Sequence, residues 1–301
     1  MVRSKPTHPH LARFIPAQGP ISRNIKHNPS ADVPSVLSCT TPGDARKSYD
    51  FLMGELKAGN TSLKHETVEV TAGYLCDYGM AIEAQELIMF ALDVLEQRDR
   101  FSSGNIQWTI GALCDQKKVL GAYELTMYIL EKRPKLKIAE GNAQYTLMEL
   151  CNAKKFEEAL NLFLALLEKG YSLKSTTVQS MAVSMARNRQ AEKAHEVIVE
   201  AQKKGILEPD AVQSVAAELI KDFDLESKWI EKFNPDAVYD FIVLEMKMGF
   251  RFDNTEVMDF AIKHLEDLGR LTEAIKFLQL SAEQNCRFSP EMIKHLSTVV
   301  K

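Results

Sequence analysis

The sequence lacks any apolar run long enough to cross a membrane. Its richest apolar stretch, residues 160–167, is interrupted by Asn161, whereas a membrane-spanning helix needs about 20 predominantly apolar residues. The first thirty residues also lack the apolar core that a secretory signal peptide requires. We therefore expect no membrane insertion and no secretory signal peptide.

Sequence motifs of common enzyme classes are missing as well. The chain has no glycine-rich nucleotide-binding motif, no HExxH zinc-protease motif and no GxSxG nucleophile motif. Neighbouring acids such as Glu157 and Glu158 are typical of solvated helix faces. Four histidines stand singly on predicted helices, where we expect surface or capping roles: His65, His195, His264 and His295. The sequence predicts a protein that is not an enzyme and uses no cofactor or metal.

Cysteine is scarce, and its spacing excludes the usual metal patterns. The five cysteines are Cys39, Cys76, Cys114, Cys151 and Cys286. None forms a CxxC pair, and none has a histidine at zinc-ligand spacing. Three of them fall on equivalent helices of adjacent repeats, and packed helix axes lie about 8–10 Å apart, too far for a disulfide. We predict small buried thiols at helix contacts and a reducing compartment.

What the sequence does contain is a repeated pair of amphipathic helices. In the clearest copy, residues 142–170, apolar residues follow helical spacing on two stretches separated by the short turn 152–155. Gly170 ends the second stretch, since the left-handed backbone conformation that often follows a helix has the lowest energetic cost for glycine or asparagine. Neither helix can bury its apolar stripe alone, so the pair needs neighbours.

The same pair recurs with a period of about 36 residues. With Ala159 as the register mark, the equivalent positions are Ser48, Ala84, Ala122, Ala159, Ala194, Val238 and Ala274. Eleven residues after the marks, five of the seven positions hold glycine or asparagine: Gly59, Gly170, Gly205, Gly249 and Asn285. This periodicity predicts an all-α solenoid of about thirteen helices. The alternative is a helical bundle whose helices happen to be evenly spaced.

The predicted array occupies residues 41–301. It begins with a half unit at 45–59, where the second-helix pattern is present without a clear first helix. Full units follow at 65–98, 104–135, 141–170, 176–205 and 254–285. The unit between the last two is irregular, with an insertion near 225–236. Its Trp229 and Phe233 are candidate partner contacts, or they fold back onto the repeat. Pro290 then opens a last helix that caps the stack.

Residues 1–40 form a basic, proline-rich extended arm. Before residue 32 the arm has no acid and five cations: Arg3, Lys5, Arg13, Arg23 and Lys26. The other 32 of the 37 lysines and arginines and all 41 acids lie in residues 32–301, which therefore carry a balance of −9. Prolines forbid a continuous helix in the arm. Three interpretations stay open: an organelle-targeting sequence, a tail that binds RNA or a partner protein, and a solvated tail.

The repeat resembles the pentatricopeptide repeat. In the unit from Gln144 to Lys174, the residues Cys151, Ala159 and Gly170 match that family's cysteine, alanine and terminal glycine. The resemblance covers roughly residues 45–285. It implies a right-handed α-solenoid, a location in mitochondria or chloroplasts and, in many members, binding of single-stranded RNA with one base read per repeat.

The positions that choose bases in that family carry other residue types here. The matching first positions are Glu69, Gln107, Gln144, Gln179 and Asp259, and the matching last positions are Asp99, Lys137, Lys174, Pro209 and Asp253. No repeat combines the small polar residue and the acid or amide that the family uses. We expect Glu69 and Asp259 to place a carboxylate where a base would approach. The sequence predicts the scaffold without the RNA code.

These observations favour a binding protein built into a larger assembly. We expect a non-catalytic structural or adaptor subunit of an organellar ribonucleoprotein, specifically a mitochondrial ribosome, with other protein subunits as partners and ribosomal RNA contacted by the arm. One alternative is an organellar RNA-processing factor, and another is an accessory subunit of a respiratory or ATP synthase complex. The expected location is the mitochondrial matrix, with chloroplast stroma or cytosol as alternatives.

Overall fold

The computed structural model describes residues 39–95, 101–221 and 234–299. These residues form fourteen helices, one more than predicted, and no strand. The helices are α1 (Pro42–Lys57), α2 (His65–Asp77), α3 (Ala81–Val94), α4 (Ser103–Asp115), α5 (Val119–Lys132), α6 (Glu140–Asn152), α7 (Phe156–Glu168), α8 (Ser175–Arg187), α9 (Ala191–Lys203), α10 (Ala211–Lys221), α11 (Pro235–Lys247), α12 (Thr255–Asp267), α13 (Leu271–Glu283) and α14 (Pro290–Val299). The predicted all-α repeat architecture is confirmed.

The helices stack in two rows. The first-helix row contains α2, α4, α6, α8, α10, α12 and α14, and the second-helix row contains α1 and the odd-numbered helices up to α13. From α2 to α13, each helix packs on its hairpin partner, and from α2 to α11 each also packs on the next helix of its own row. All seven register marks are buried, with at most 7% of their surface exposed. The apolar stripes therefore meet in one continuous core, as a repeat solenoid requires.

The helix ends follow local backbone chemistry. The five glycine and asparagine residues predicted to end second helices all have positive φ, from 54° to 90°. At Gly170 the amide of Tyr171 donates to Leu166 O at 3.0 Å, and the amide of Gly170 donates to Leu167 O at 3.2 Å. This pair of bonds is the Schellman ending. It turns the chain from α7 towards the next repeat.

The turns inside the hairpins also use left-handed backbone, which the sequence analysis did not anticipate. Five residues before the register marks, φ is positive at Gly79, Lys117, Lys154, Arg189 and Gly269. Three of these residues carry side chains, and their φ values lie near 58–59°. A non-glycine residue pays a steric cost in this region. Because three of these five positions do not hold glycine, the shared turn is not visible in the sequence.

Several sequence-predicted segments lie outside the described residues. They include the arm up to residue 38, with its five cations, and most of the 225–236 insertion, with Trp229 and Phe233. The end of the insertion is described: Asn234 caps α11 through a side-chain bond to the amide of Ala237, and Pro235 is the first helical residue, as predicted. No helix among the described residues is long and apolar enough to span a membrane.

The fully buried register mark of α7 allows a test of the packing. We expect Ala159→Leu to lower the free energy of unfolding by about 1–3 kcal/mol, because extra methylenes must enter a packed helix contact. Ala153→Leu is the matched control, since Ala153 is exposed at the end of α6. Urea denaturation measures both. Equal midpoints for the two variants would show that the register is misplaced.

Candidate functional site

The first positions of the family's RNA code hold adjacent repeats together in this protein. Glu69 accepts a hydrogen bond from the amide of Ser102, the residue that caps α4. Gln144 accepts a bond from the Thr177 hydroxyl at 2.9 Å. Asp259 accepts a bond from the amide of Ser289 at 3.1 Å. Each of these side chains reaches the start of the next first helix, where unpaired amides need an acceptor.

The same arrangement occurs in the irregular unit. Gln213 on α10 accepts bonds from the amides of Asp253 and Asn254 at 3.3 and 3.1 Å. The sequence analysis missed Gln213, because the insertion obscured the register there. Two further code positions, Gln107 and Gln179, are half-buried on α4 and α8. Four of the six described first positions, Glu69, Gln144, Gln213 and Asp259, thus form contacts between repeats.

Glu69 corrects one expectation from the sequence. We expected its carboxylate to face an incoming base, but the residue is only 6% exposed. Burial raises the pKa of Glu69, and the bond from the Ser102 amide partly opposes that shift. A buried acid that is engaged by the next repeat is unavailable to a ligand. Its role is structural.

Among the described last positions of the code, Asp253 bonds to a first-position residue, and it does so through its backbone amide, which donates to Gln213. The described ones are exposed: Lys137, Lys174, Pro209 and Asp253. Asp253 forms ion pairs with Arg251 at 2.8 Å and Arg287 at 3.8 Å. Asp99 lies outside the described residues.

The repeated cysteines form hydrogen bonds to threonines of the next repeat. The Cys76 thiol donates to the Thr109 hydroxyl at 3.6 Å, and Cys114 Sγ lies 3.7 Å from Thr146 Oγ1. All five cysteines are in the reduced form. Burial raises the pKa of Cys76 and Cys114 to about 11 and that of Cys151 to about 12. Because the thiolate is the reactive form, these thiols are inert at neutral pH, and the predicted structural placement is confirmed.

Two histidines that we expected at the surface or at caps instead join helices. His195 Nδ1 lies 3.0 Å from a carboxylate oxygen of Glu245, whose side chain is 2% exposed. His264 Nε2 lies 2.9 Å from Asp236. Burial raises the pKa of Glu245, whereas the hydrogen bond with His264 lowers the pKa of Asp236. These pairs connect α11 to α9 and α12, next to the irregular unit.

The solvent-facing side of the first-helix row carries a large exposed aromatic residue. Trp108, the sixth residue of α4, is 56% exposed. The sixth residues of the flanking first helices, Val70 on α2 and Tyr145 on α6, are half-buried. The sequence analysis missed Trp108, although an apolar side chain outside the core stripe is a visible signal. Three neighbouring repeats thus present apolar groups at one position.

Two glycines lie beside these apolar residues without an internal reason. Gly73 and Gly111 are the ninth residues of α2 and α4, three places after Val70 and Trp108 and hence on the same helix face. A Cβ added to either glycine would meet no heavy atom within 4 Å. Glycine inside a helix costs roughly 0.5–1 kcal/mol relative to alanine. Such a position suits a surface that another backbone approaches closely.

We define the Trp108 face as Val70, Gly73, Trp108, Gly111 and Tyr145. Its edge is acidic: Asp77 and Asp115 lie seven residues after Val70 and Trp108, on the same helix sides. The Tyr145 hydroxyl donates to Asp115 at 2.7 Å. Burial of the ring and this bond raise the pKa of Tyr145. The face combines an apolar centre, two open helix backbones and negative charge.

The described residues contain no group of three or more His, Cys, Asp or Glu side chains placed to hold a metal ion. The chain matches no protein-family model, and a comparison with curated proteins found no match. A helical-repeat architecture by itself does not identify the pentatricopeptide family, because several families share it. The Trp108 face is therefore the candidate binding surface.

Gly111 on the Trp108 face allows a prediction about stability. We expect Gly111→Ala to raise the free energy of unfolding by about 0.5–1 kcal/mol, because alanine restricts the unfolded chain and meets open space in the helix. The contrast is Gly170→Ala, where φ is +73°; it should cost about 1–2 kcal/mol. Urea denaturation measures both. A loss of stability for Gly111→Ala would show that an internal contact requires the glycine.

The burial of Glu69 allows a prediction about how stability depends on pH. The pKa of Glu69 is raised in the folded state, so folding favours its protonated form. The stability gained from that preference is fully present below the usual pKa of 4.5 and is lost as pH rises through the folded pKa. Glu69→Gln keeps the acceptor oxygen and cannot ionise. The stability of the variant relative to the natural protein should therefore increase from acidic to neutral pH. Unfolding free energies across this range test it, with the exposed Glu140→Gln as control; parallel profiles of Glu69→Gln and the natural protein would contradict it.

Proposed function

We propose that this protein is a non-catalytic adaptor whose repeat array binds another protein through the Trp108 face. The observation that carries the proposal is the exposed Trp108 beside mid-helix glycines that nothing inside the protein explains. Tryptophan is enriched among the residues that dominate binding energy in protein interfaces. The glycines lower helix stability, and a partner that lies close to the backbone would compensate for that cost.

The charge and the polar contacts favour a protein partner over RNA. Glu69, Gln144 and Asp259 are engaged by neighbouring repeats, so these positions serve contacts inside the array. The acids at the edge of the Trp108 face repel phosphates. Residues 32–301 as a whole have a balance of −9, which opposes the phosphate neutralisation that drives RNA binding.

The geometry also describes the partner segment. An apolar side chain would pack on the Trp108 ring, and the partner backbone would pass over Gly73 and Gly111. Lysine or arginine side chains would reach Asp77 and Asp115 at the edge. An arginine could also stack on the indole ring, since arginine and tryptophan form the most favourable cation–π pairs. The partner is thus an apolar segment flanked by basic residues.

The assembly that we propose is an organellar ribonucleoprotein, specifically a mitochondrial ribosome in the matrix. Two sequence features support it: the resemblance to pentatricopeptide repeats and the acid-free arm with Arg3, Lys5, Arg13, Arg23 and Lys26. In this proposal the arm contacts ribosomal RNA while the acidic array contacts protein. An accessory subunit of a respiratory complex would use the Trp108 face but would not need the basic arm.

Sedimentation of the tagged full chain in lysate gradients tests the proposal. The natural chain should sediment with a large assembly, whereas Trp108→Ala and Gly111→Ala should move towards the unbound fraction. The Gly111→Ala result is diagnostic, since this variant should be more stable but bind less. Leu120→Ala is the control, because Leu120 is 38% exposed on the second-helix row.

Treatment with RNase separates the two parts of the proposal. If all variants sediment like the natural chain, the Trp108 face is not the binding surface. If RNase dissolves the assembly into smaller particles that still retain the natural chain but not Trp108→Ala, both the protein contact and the ribonucleoprotein are supported. A large assembly that RNase leaves unchanged would contradict the ribonucleoprotein assignment.

A further inference from the structure

The final helix of the second-helix row, α13, exposes residues at repeat positions that are buried in earlier helices. Leu271 and Ile275 on α13 are 58% and 57% exposed. The counterparts of Leu271 in α3, α5, α7 and α9 are all buried: Ala81, Val119, Phe156 and Ala191. Leu160, the counterpart of Ile275 in α7, is 6% exposed. The outer face of α13 therefore retains core residues without a cover.

The final helix of the first-helix row, α14, shows the same feature. Ile293, the fourth residue of α14, is 58% exposed. Its counterparts are at most 2% exposed in five earlier first helices: Val68, Ile106, Ala143, Val178 and Met258. α14 joins α12 through the Asp259–Ser289 bond and the ion pair of His295 with Glu266. It thus takes its place in the first-helix row.

Inside the array, the following second helix covers such faces. The residue one place after each register mark points to that helix: Tyr49 on α1 donates to Glu86 on α3, and Gln85 on α3 donates to Glu124 on α5. Tyr239 on α11 packs on Phe277 of α13, with ring centroids 5.7 Å apart. By the same register, Ile275 faces the place of the next second helix, and none follows α14 in the described residues.

The first described helix has the complementary surface. α1 is a second helix, and the described residues contain no first helix before it. Phe51 on α1 is 37% exposed. Its counterparts in the other second helices are at most 1% exposed: Leu87, Leu125, Leu162, Val197, Phe241 and Phe277. Phe51 therefore occupies the repeat position that receives a residue from the preceding second helix.

We propose that a second copy of this chain fills the open end, with its α1 packed on α13 and α14. The junction completes a repeat from the first helix of one copy and the second helix of the other. Ile275 then packs on Phe51 of the second copy, in the register of Tyr239 and Phe277. Because the two surfaces differ, the contact is head-to-tail, and it builds chains unless the geometry closes into a ring. The Trp108 face takes no part in it.

Mixing two variants of the full chain tests this proposal. Phe51→Asp blocks only the α1 surface, and Ile275→Asp blocks only the α13 surface. By sedimentation velocity, the natural chain should associate as its concentration rises, whereas each variant alone should stay monomeric. An equimolar mixture should form dimers and nothing larger, because each dimer has one working junction. Circular dichroism verifies that both variants fold.

Leu120→Asp is the control, because Leu120 is exposed at a repeat position held by Glu157 and Glu192 in α7 and α9. It should associate like the natural chain. A natural chain that is monomeric at every concentration overturns the proposal. So does a mixture of the two blocked variants that remains monomeric. Association that appears only after deletion of residues 1–38 also overturns it, since the arm would then be the occupant.

Discussion

Every level of this structure depends on one constraint: each helix has an apolar stripe that it cannot bury without a neighbour. Hydrophobic burial of a pair therefore requires the next pair, and the requirement passes along the chain. Inside the array it produces buried register marks and one continuous core. At the ends it leaves Phe51, Leu271, Ile275 and Ile293 exposed at positions that are otherwise buried. The same constraint thus explains both the core and the proposed junction between copies.

The polar residues of the first-helix row satisfy a second need that comes with stacking. At the starts of α4, α12 and α14, the preceding repeat supplies an acceptor for unpaired amides, from Glu69, Gln213 and Asp259 respectively. A side chain committed to this bond is not available to a nucleotide. The next residue along the helix faces solvent instead, which places Val70, Trp108 and Tyr145 in one line across three repeats. Contacts between repeats and the proposed partner surface thus occupy adjacent positions along these helices.

Some features of the array reduce its stability in the free state. Gly73 and Gly111 weaken their helices, and Glu69 and Glu245 bury carboxylates whose pKa values are raised by desolvation. The two carboxylates have local explanations, because each bonds to a neighbouring helix or turn. The two glycines have none within the described residues. In the proposed complex, a partner backbone that passes over these glycines would compensate for this cost.

The sequence by itself determined the repeat period, the helix pairs and the residues that end the second helices, because a stripe at helical spacing and a glycine in left-handed backbone are local properties. Gly170 and Pro235 lie where local chemistry placed them. Only the tertiary structure decided that Glu69 is buried, that His195 meets Glu245 and that Trp108 is exposed. Each of these depends on which helix lies opposite, and a partner 33 or 50 residues away leaves no trace in local spacing. Exposure is a relation between elements, so it is settled only when the helices pack.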